Sequence, residues 1–126
     1  MRKVTMFGLG LAAAVGMMTS GAAYAGDAAA GEKVFKKYCM ACHTVEAGKN
    51  RVGPSLHGIV GRQSASVAGF AYSAAVKGLN VAWNEEKLGQ WLEGPAKMAP
   101  GTKMTFSGVK DATERADLIA YLATQK

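Results

Sequence analysis

Both cysteines of this 126-residue chain and one of its two histidines fall within five positions, Cys39-Met40-Ala41-Cys42-His43. A disulfide between the two thiols would close only a tiny loop and restrict the unfolded chain very little. Zinc needs four ligands at suitable spacing, and the chain adds only His57, with no second cysteine pair. A redox dithiol places its CxxC at the start of a helix that follows a strand; here the cysteines close a helical segment, and no strand pattern precedes them. Covalent haem attachment uses all three residues at once. The two thiols add across the two vinyl groups, and the adjacent imidazole reaches the iron.

Iron held by His43 has one more axial position. Met104 is the expected occupant, because in Ala99-Pro-Gly-Thr-Lys-Met-Thr-Phe106 the Pro100-Gly101 turn leads into an extended stretch able to lay a side chain over a ring. Met98 is the rival, close behind a helix that should end near Gly94-Pro95, and it also reads as a gap-filling packing residue. Met40 sits inside the attachment loop and cannot reach the opposite face. His57, in Gly-Pro-Ser-Leu-His-Gly, lies only a short loop from His43, on the same side.

Compartment decides which cysteine chemistries are open. Arg2 and Lys3 precede an uncharged apolar run and then Thr-Ser-Gly-Ala-Ala-Tyr-Ala25. This reads as a secretory signal peptide over residues 1–25, cut between Ala25 and Gly26, and it places the protein in a bacterial periplasm. The apolar run is shorter than the roughly 18 to 20 residues of a membrane span, so no stable membrane insertion is expected. The remaining domain, 26–126, holds 101 residues with 13 basic and 9 acidic side chains, a net charge of +4. A core of that size is modest, and a large planar apolar macrocycle would complete it.

The elements that must hold these residues follow from periodicity. Residues 28–41 put Val34, Phe35 and Tyr38 on one helical face, with Lys33, Lys36 and Lys37 outside. Asn84 caps a helix carrying Leu88, Trp91 and Leu92 on one face, stopped by Gly94-Pro95. Asp111 and Glu114 have the spacing of a capping box, ahead of a helix that buries Leu118, Ile119 and Leu122. No useful length alternates with period two. The fold class is all-α: about four to five helices joined by loops around a cofactor.

From Gly31 through Tyr121 the chain resembles a class I cytochrome c, similar to the mitochondrial and the short periplasmic bacterial members. Its landmarks are GEKVFKKYCMACH, VGPSLHGIVGR, FAYS, Trp83, PGTKMTF and ERADLIAYL, in the family's order and near its spacing. The resemblance implies one covalent haem c on Cys39 and Cys42, with His43 and Met104 as axial ligands. It implies that the backbone oxygen of Pro54 accepts the other N–H of His43. For the haem propionates it nominates Arg62, Tyr72, Ser73 and Trp83, with Thr102 near the inner one. It implies a crossing of the first and last helices near Gly31 and Leu118. Two positions depart from the mitochondrial pattern: Trp91 stands where a tyrosine usually touches the methionine sulfur, and Val76 replaces an asparagine. Both reduce the polar network beside the ligand.

With both axial positions filled and no general base nearby, the expected function is one-electron transport between redox complexes, without catalysis. The alternative is a haem enzyme or gas-binding protein in which Met104 is labile. Lys36, Lys37, Lys97, Lys103 and Lys110 are the candidates for a positive rim that docks transiently on acidic surfaces of membrane redox complexes or other redox proteins. A monomer is expected, and nothing in the pattern suits nucleic acid.

Overall fold

The computed structural model describes residues 26–126, so the expected signal peptide and its cleavage lie outside the described residues except for Gly26 itself. The described chain is all-α: α1 (Ala28–Tyr38), α2 (Ala74–Lys77), α3 (Glu85–Glu93), α4 (Pro95–Met98) and α5 (Ala112–Thr124), joined by loops. No strand is formed among the described residues, only an isolated antiparallel bridge between Gln63 and Ala82.

The ends of the helices follow local chemistry. Asp27 caps α1, its carboxylate accepting from the amides of Ala29 and Ala30. Asn84 Oδ1 accepts from Lys87 N at 2.8 Å, and Asp111 Oδ1 from Glu114 N at 2.8 Å, so both capping residues read from the sequence work as N-caps. The return half of the expected box is absent, because the Glu114 carboxylate turns instead to Lys37 Nζ at 3.2 Å. Helix α1 is shorter than the 28–41 expected. At Cys39 the chain leaves the helix, and the Cys39 carbonyl accepts from both Cys42 N (3.1 Å) and His43 N (2.9 Å), winding the next residues into tight turns.

Helices α1 and α5 form the main packed pair. Gly31 makes their crossing possible: a Cβ there would overlap the Asp117 carbonyl oxygen and crowd the Tyr121 side chain. Phe35 and Tyr121 meet beside the crossing with ring centroids 5.7 Å apart. Leu118, Ile119 and Val109 are fully buried at the centre of the core, with Leu88 and Leu92 of α3 close behind. Burying each such side chain contributes about 1.5–3 kcal/mol. Pro95 occupies the first turn of α4, where its missing N–H costs nothing, so Gly94-Pro95 ends one helix and begins another.

Between α4 and α5 the chain runs extended. From Thr102 to Ser107 its residues alternate, with Thr102, Met104 and Phe106 half-buried and Lys103, Thr105 and Ser107 exposed. This strap is anchored at both ends, by Thr102 N to Ala99 O (3.0 Å) and Val109 N to Leu92 O (2.7 Å). Gly108, at φ 111°, fits where a Cβ would overlap the Glu93 carbonyl.

Candidate haem site

The helices and loops enclose a largely apolar cavity of about 450 Å3, within the roughly 300–1,000 Å3 usual for ligand and cofactor sites. Every site residue named from the sequence lines it, from Cys39, Cys42 and His43 through the middle loops to Met104. Leu88 and Leu92 of α3 and Leu118 and Leu122 of α5 form its apolar back.

His43 is the best-held polar side chain in this wall. It is buried, and its Nδ1 lies 2.8 Å from the Pro54 carbonyl oxygen. A carbonyl only accepts, so Nδ1 carries the proton and Nε2 keeps its lone pair. Burial holds the imidazole below the ordinary histidine value, partly opposed by the Pro54 bond and reinforced by Arg62. A neutral ring with a free Nε2 is the form that binds iron. Gly53 packs flat on this ring: an added Cβ would collide with it. Gly53 was not singled out in the sequence, because its role depends on where the His43 ring lies.

The two thiols differ. Cys39 is buried, and burial with the neighbouring Cys42 pushes its thiol up to about 11, whereas Cys42 is exposed at the cavity's edge. Of the three methionines among the described residues, Met104 alone lines the cavity; Met40 is exposed and Met98 ends α4, packed against the core. His57 is outside the wall, its Nδ1 3.1 Å from the Val45 carbonyl.

The middle loops bring in the remaining polar groups. Arg62 donates to the carbonyls of His57 (2.9 Å) and Ser55 (3.0 Å), and burial lowers its guanidinium below the usual arginine value. Trp83 N donates to Arg62 O at 2.8 Å, and Gly61 N to Trp83 O at 2.6 Å, so the Gln63–Ala82 bridge sets Arg62 beside Trp83. The Tyr72 hydroxyl accepts from Val67 N at 3.1 Å, which leaves its own proton to donate. Ser73 caps α2, accepting from Val76 N, and Thr102 Oγ1 accepts from Met104 N at 3.3 Å. Trp91 meets Trp83 edge to face, with centroids 5.3 Å apart. The donor set therefore fits a large apolar group with acidic edges: a thiol pair, a neutral imidazole, a thioether, and N–H and O–H donors in the cavity lining.

The cytochrome c family model matches residues 28–126. The chain belongs to the cytochrome c family. It is 54% identical over 99 residues to a cytochrome c of Guizotia abyssinica, covering 78% of this chain and 89% of that protein. It is 50% identical over 101 residues to cytochrome c 2.1 of Caenorhabditis elegans, covering 80% and 91%. A third relative is cytochrome c type-1 of Ascaris suum, 52% identical over 97 residues and covering 77% and 87%. As in the cytochrome c family, the cofactor is one covalent haem c, attached through the CxxCH motif at Cys39 and Cys42. The family and these relatives support a haem c electron carrier.

These relatives also correct the expected compartment. They are plant and nematode proteins and point to the mitochondrial intermembrane space, against the bacterial periplasm read from residues 1–25. The physical reason for the error is that a positive start, an apolar run and small residues report passage through a membrane without saying which membrane.

The lysines expected at the rim are partly engaged elsewhere. Lys36 pairs with Glu32 at 3.3 Å, Lys37 with Glu114, and Lys110 Nζ donates to the Glu93 carbonyl at 2.7 Å. Lys103 borders the cavity on the exposed side of the strap. No described helix is long and apolar enough to cross a membrane.

Proposed function

We propose that the protein is a one-electron shuttle between redox complexes, its haem iron held by His43 on one side and Met104 on the other. When bound, the haem supplies an iron that alternates between Fe(III) and Fe(II) and so carries one electron. What supports the ligand pair is that the buried neutral His43 and, of the described methionines, Met104 alone border the same cavity. The Pro54 carbonyl orients the imidazole and strengthens its donation. A thioether in a dry pocket favours the reduced, less charged iron.

Arg62, Tyr72, Ser73, Trp83 and Thr102 line the cavity and would supply the donors for the haem propionates. Arg62, tied to two backbone carbonyls, brings a fixed cation to the cavity wall, and Tyr72 brings a hydroxyl whose proton is free. Trp91 and Val76 line the wall with no hydroxyl or amide, so the pocket is less polar there. Docking partners present acidic surfaces, met by Lys103, Lys97 and the neighbouring cations in brief, salt-sensitive encounters.

The visible spectrum of the reduced protein with and without carbon monoxide tests this reading. A low-spin c-type spectrum that ignores the gas is expected, and Met104→Ala should make the protein bind it. A wild-type spectrum that shifts readily with carbon monoxide would overturn the proposed ligation.

A further inference from the structure

Between its two anchors the strap is loosely tied. Among the described residues no hydrogen bond joins 103–108 to another element, and the Met104 amide donates only to Thr102 Oγ1, two residues back. Side-chain packing has to hold the middle of the segment in place. One such contact reaches α1. The Phe106 ring meets the ring of Tyr38, the last residue of that helix, with centroids 6.1 Å apart and planes tilted by 56°. In an extended chain Met104 and Phe106 point to the same side, and both line the cavity, as Tyr38 does. Tyr38 is itself held from outside: the Lys37 ammonium lies 4.7 Å from its ring centroid and pairs with Glu114 of α5 at 3.2 Å.

The two rings belong to different parts of the site. Tyr38 immediately precedes Cys39, at the start of the attachment segment, whereas Phe106 lies two residues past Met104. We propose that Tyr38 is a positioning residue for the sixth ligand, its ring latching Phe106 so that the strap keeps Met104 along the cavity. The inference rests on the reading of Met104 as an iron ligand. A tilted aromatic pair contributes beyond the area it buries, and this pair exists only while the strap lies closed, so it favours the closed arrangement. Lys37 and Glu114 limit where the Tyr38 ring can turn, and little side-chain freedom is then lost when Phe106 closes on it. Without the ring at 38 the middle of the strap loses its tie to α1, and the thioether leaves more often. The contact is made by the ring, so phenylalanine at 38 should serve as well.

The test uses the haem-loaded, reduced protein at saturating carbon monoxide, where the rate of gas binding equals the rate at which the sixth ligand leaves. Tyr38→Ala should raise that limiting rate about fivefold, and Tyr38→Phe should stay within about twofold of wild type, as an aromatic pair of this kind requires. Hydrogen exchange at the amides of 103–107 should quicken in Tyr38→Ala as well. An unchanged limiting rate or unchanged exchange in the strap would overturn the latch. So would an equal acceleration in Gly31→Ala, which strains the α1–α5 crossing near the start of α1 and reports only a general loss of stability. Should Tyr38→Ala take up no haem, Phe106→Leu removes the same pair from the strap side with the attachment segment untouched, and the same acceleration is required. Met104→Ala separates the latch from the ligand reading. Equal binding by wild type and Met104→Ala would remove both, whereas slow wild type, fast Met104→Ala and an unaltered Tyr38→Ala would remove the latch alone.

Discussion

Gly53 shows how closely the His43 ring is held. The ring is fixed on one side by the Pro54 carbonyl and on its face by a residue with no side chain. Gly53→Ala forces either the ring or the 53–55 backbone to move, and both movements strain the Nδ1 bond. Overpacking of this kind costs about 1–3 kcal/mol. A lower denaturant midpoint and fewer haems per purified chain are expected; a variant equal to wild type in both would show that the ring is not confined. At this scale the sequence was legible where chemistry depends on covalent spacing. Cys39, Cys42 and His43 are read at once because two thiols and an imidazole within five positions leave few uses. Gly53 was not legible, because its function is an absence of atoms beside a ring placed by the fold. Met40, set aside in the sequence for a steric reason, is exposed in the fold.

Among the elements, capping chemistry carried the reading best. Asn84 and Asp111 satisfy helix amides through side chains close in sequence, so no tertiary information is needed. Helices α2 and α4, four residues each, are too short for a hydrophobic period to register. The strap over 102–107 reads as extended from the Pro100-Gly101 turn before it, but its alternation is one of burial and it pairs with no strand among the described residues. The Gln63–Ala82 bridge joins two distant loops and left no local signal. The crossing of α1 and α5 gives a sharp test. Within a helix, alanine is favoured over glycine by about 1 kcal/mol. At Gly31 the added methyl meets the Asp117 carbonyl, and overpacking costs about 1–3 kcal/mol. Gly31→Ala should therefore destabilise on balance, lowering the urea midpoint; a gain in stability would mean that the helices separate easily.

For the whole molecule, a net charge of +6, of which +4 lies on residues 26–126, sets the approach to partners. Screening shortens electrostatic reach to about 10 Å at 0.1 M salt. The second-order rate of electron transfer to an acidic partner should fall steadily as ionic strength rises from about 0.01 to about 0.2 M, within the range where surface fields are progressively screened. A flat salt profile in stopped-flow measurements would argue for docking without charge. Lys36, Lys37 and Lys110 already hold intramolecular partners, so Lys103→Glu is expected to weaken the salt dependence more than Lys110→Glu. Fold class and cofactor were legible because a short chain with one attachment motif has few ways to build a core. The compartment was not, since the molecule's interior carries no record of the membrane it crossed.

The alternation of the strap joins two functions that chemistry alone would keep apart. Lys103 faces outward and Met104 inward on one extended, end-anchored segment. A partner gripping Lys103 therefore holds the same short segment that lays Met104 along the cavity, so the docking surface and the cavity wall are one piece of chain.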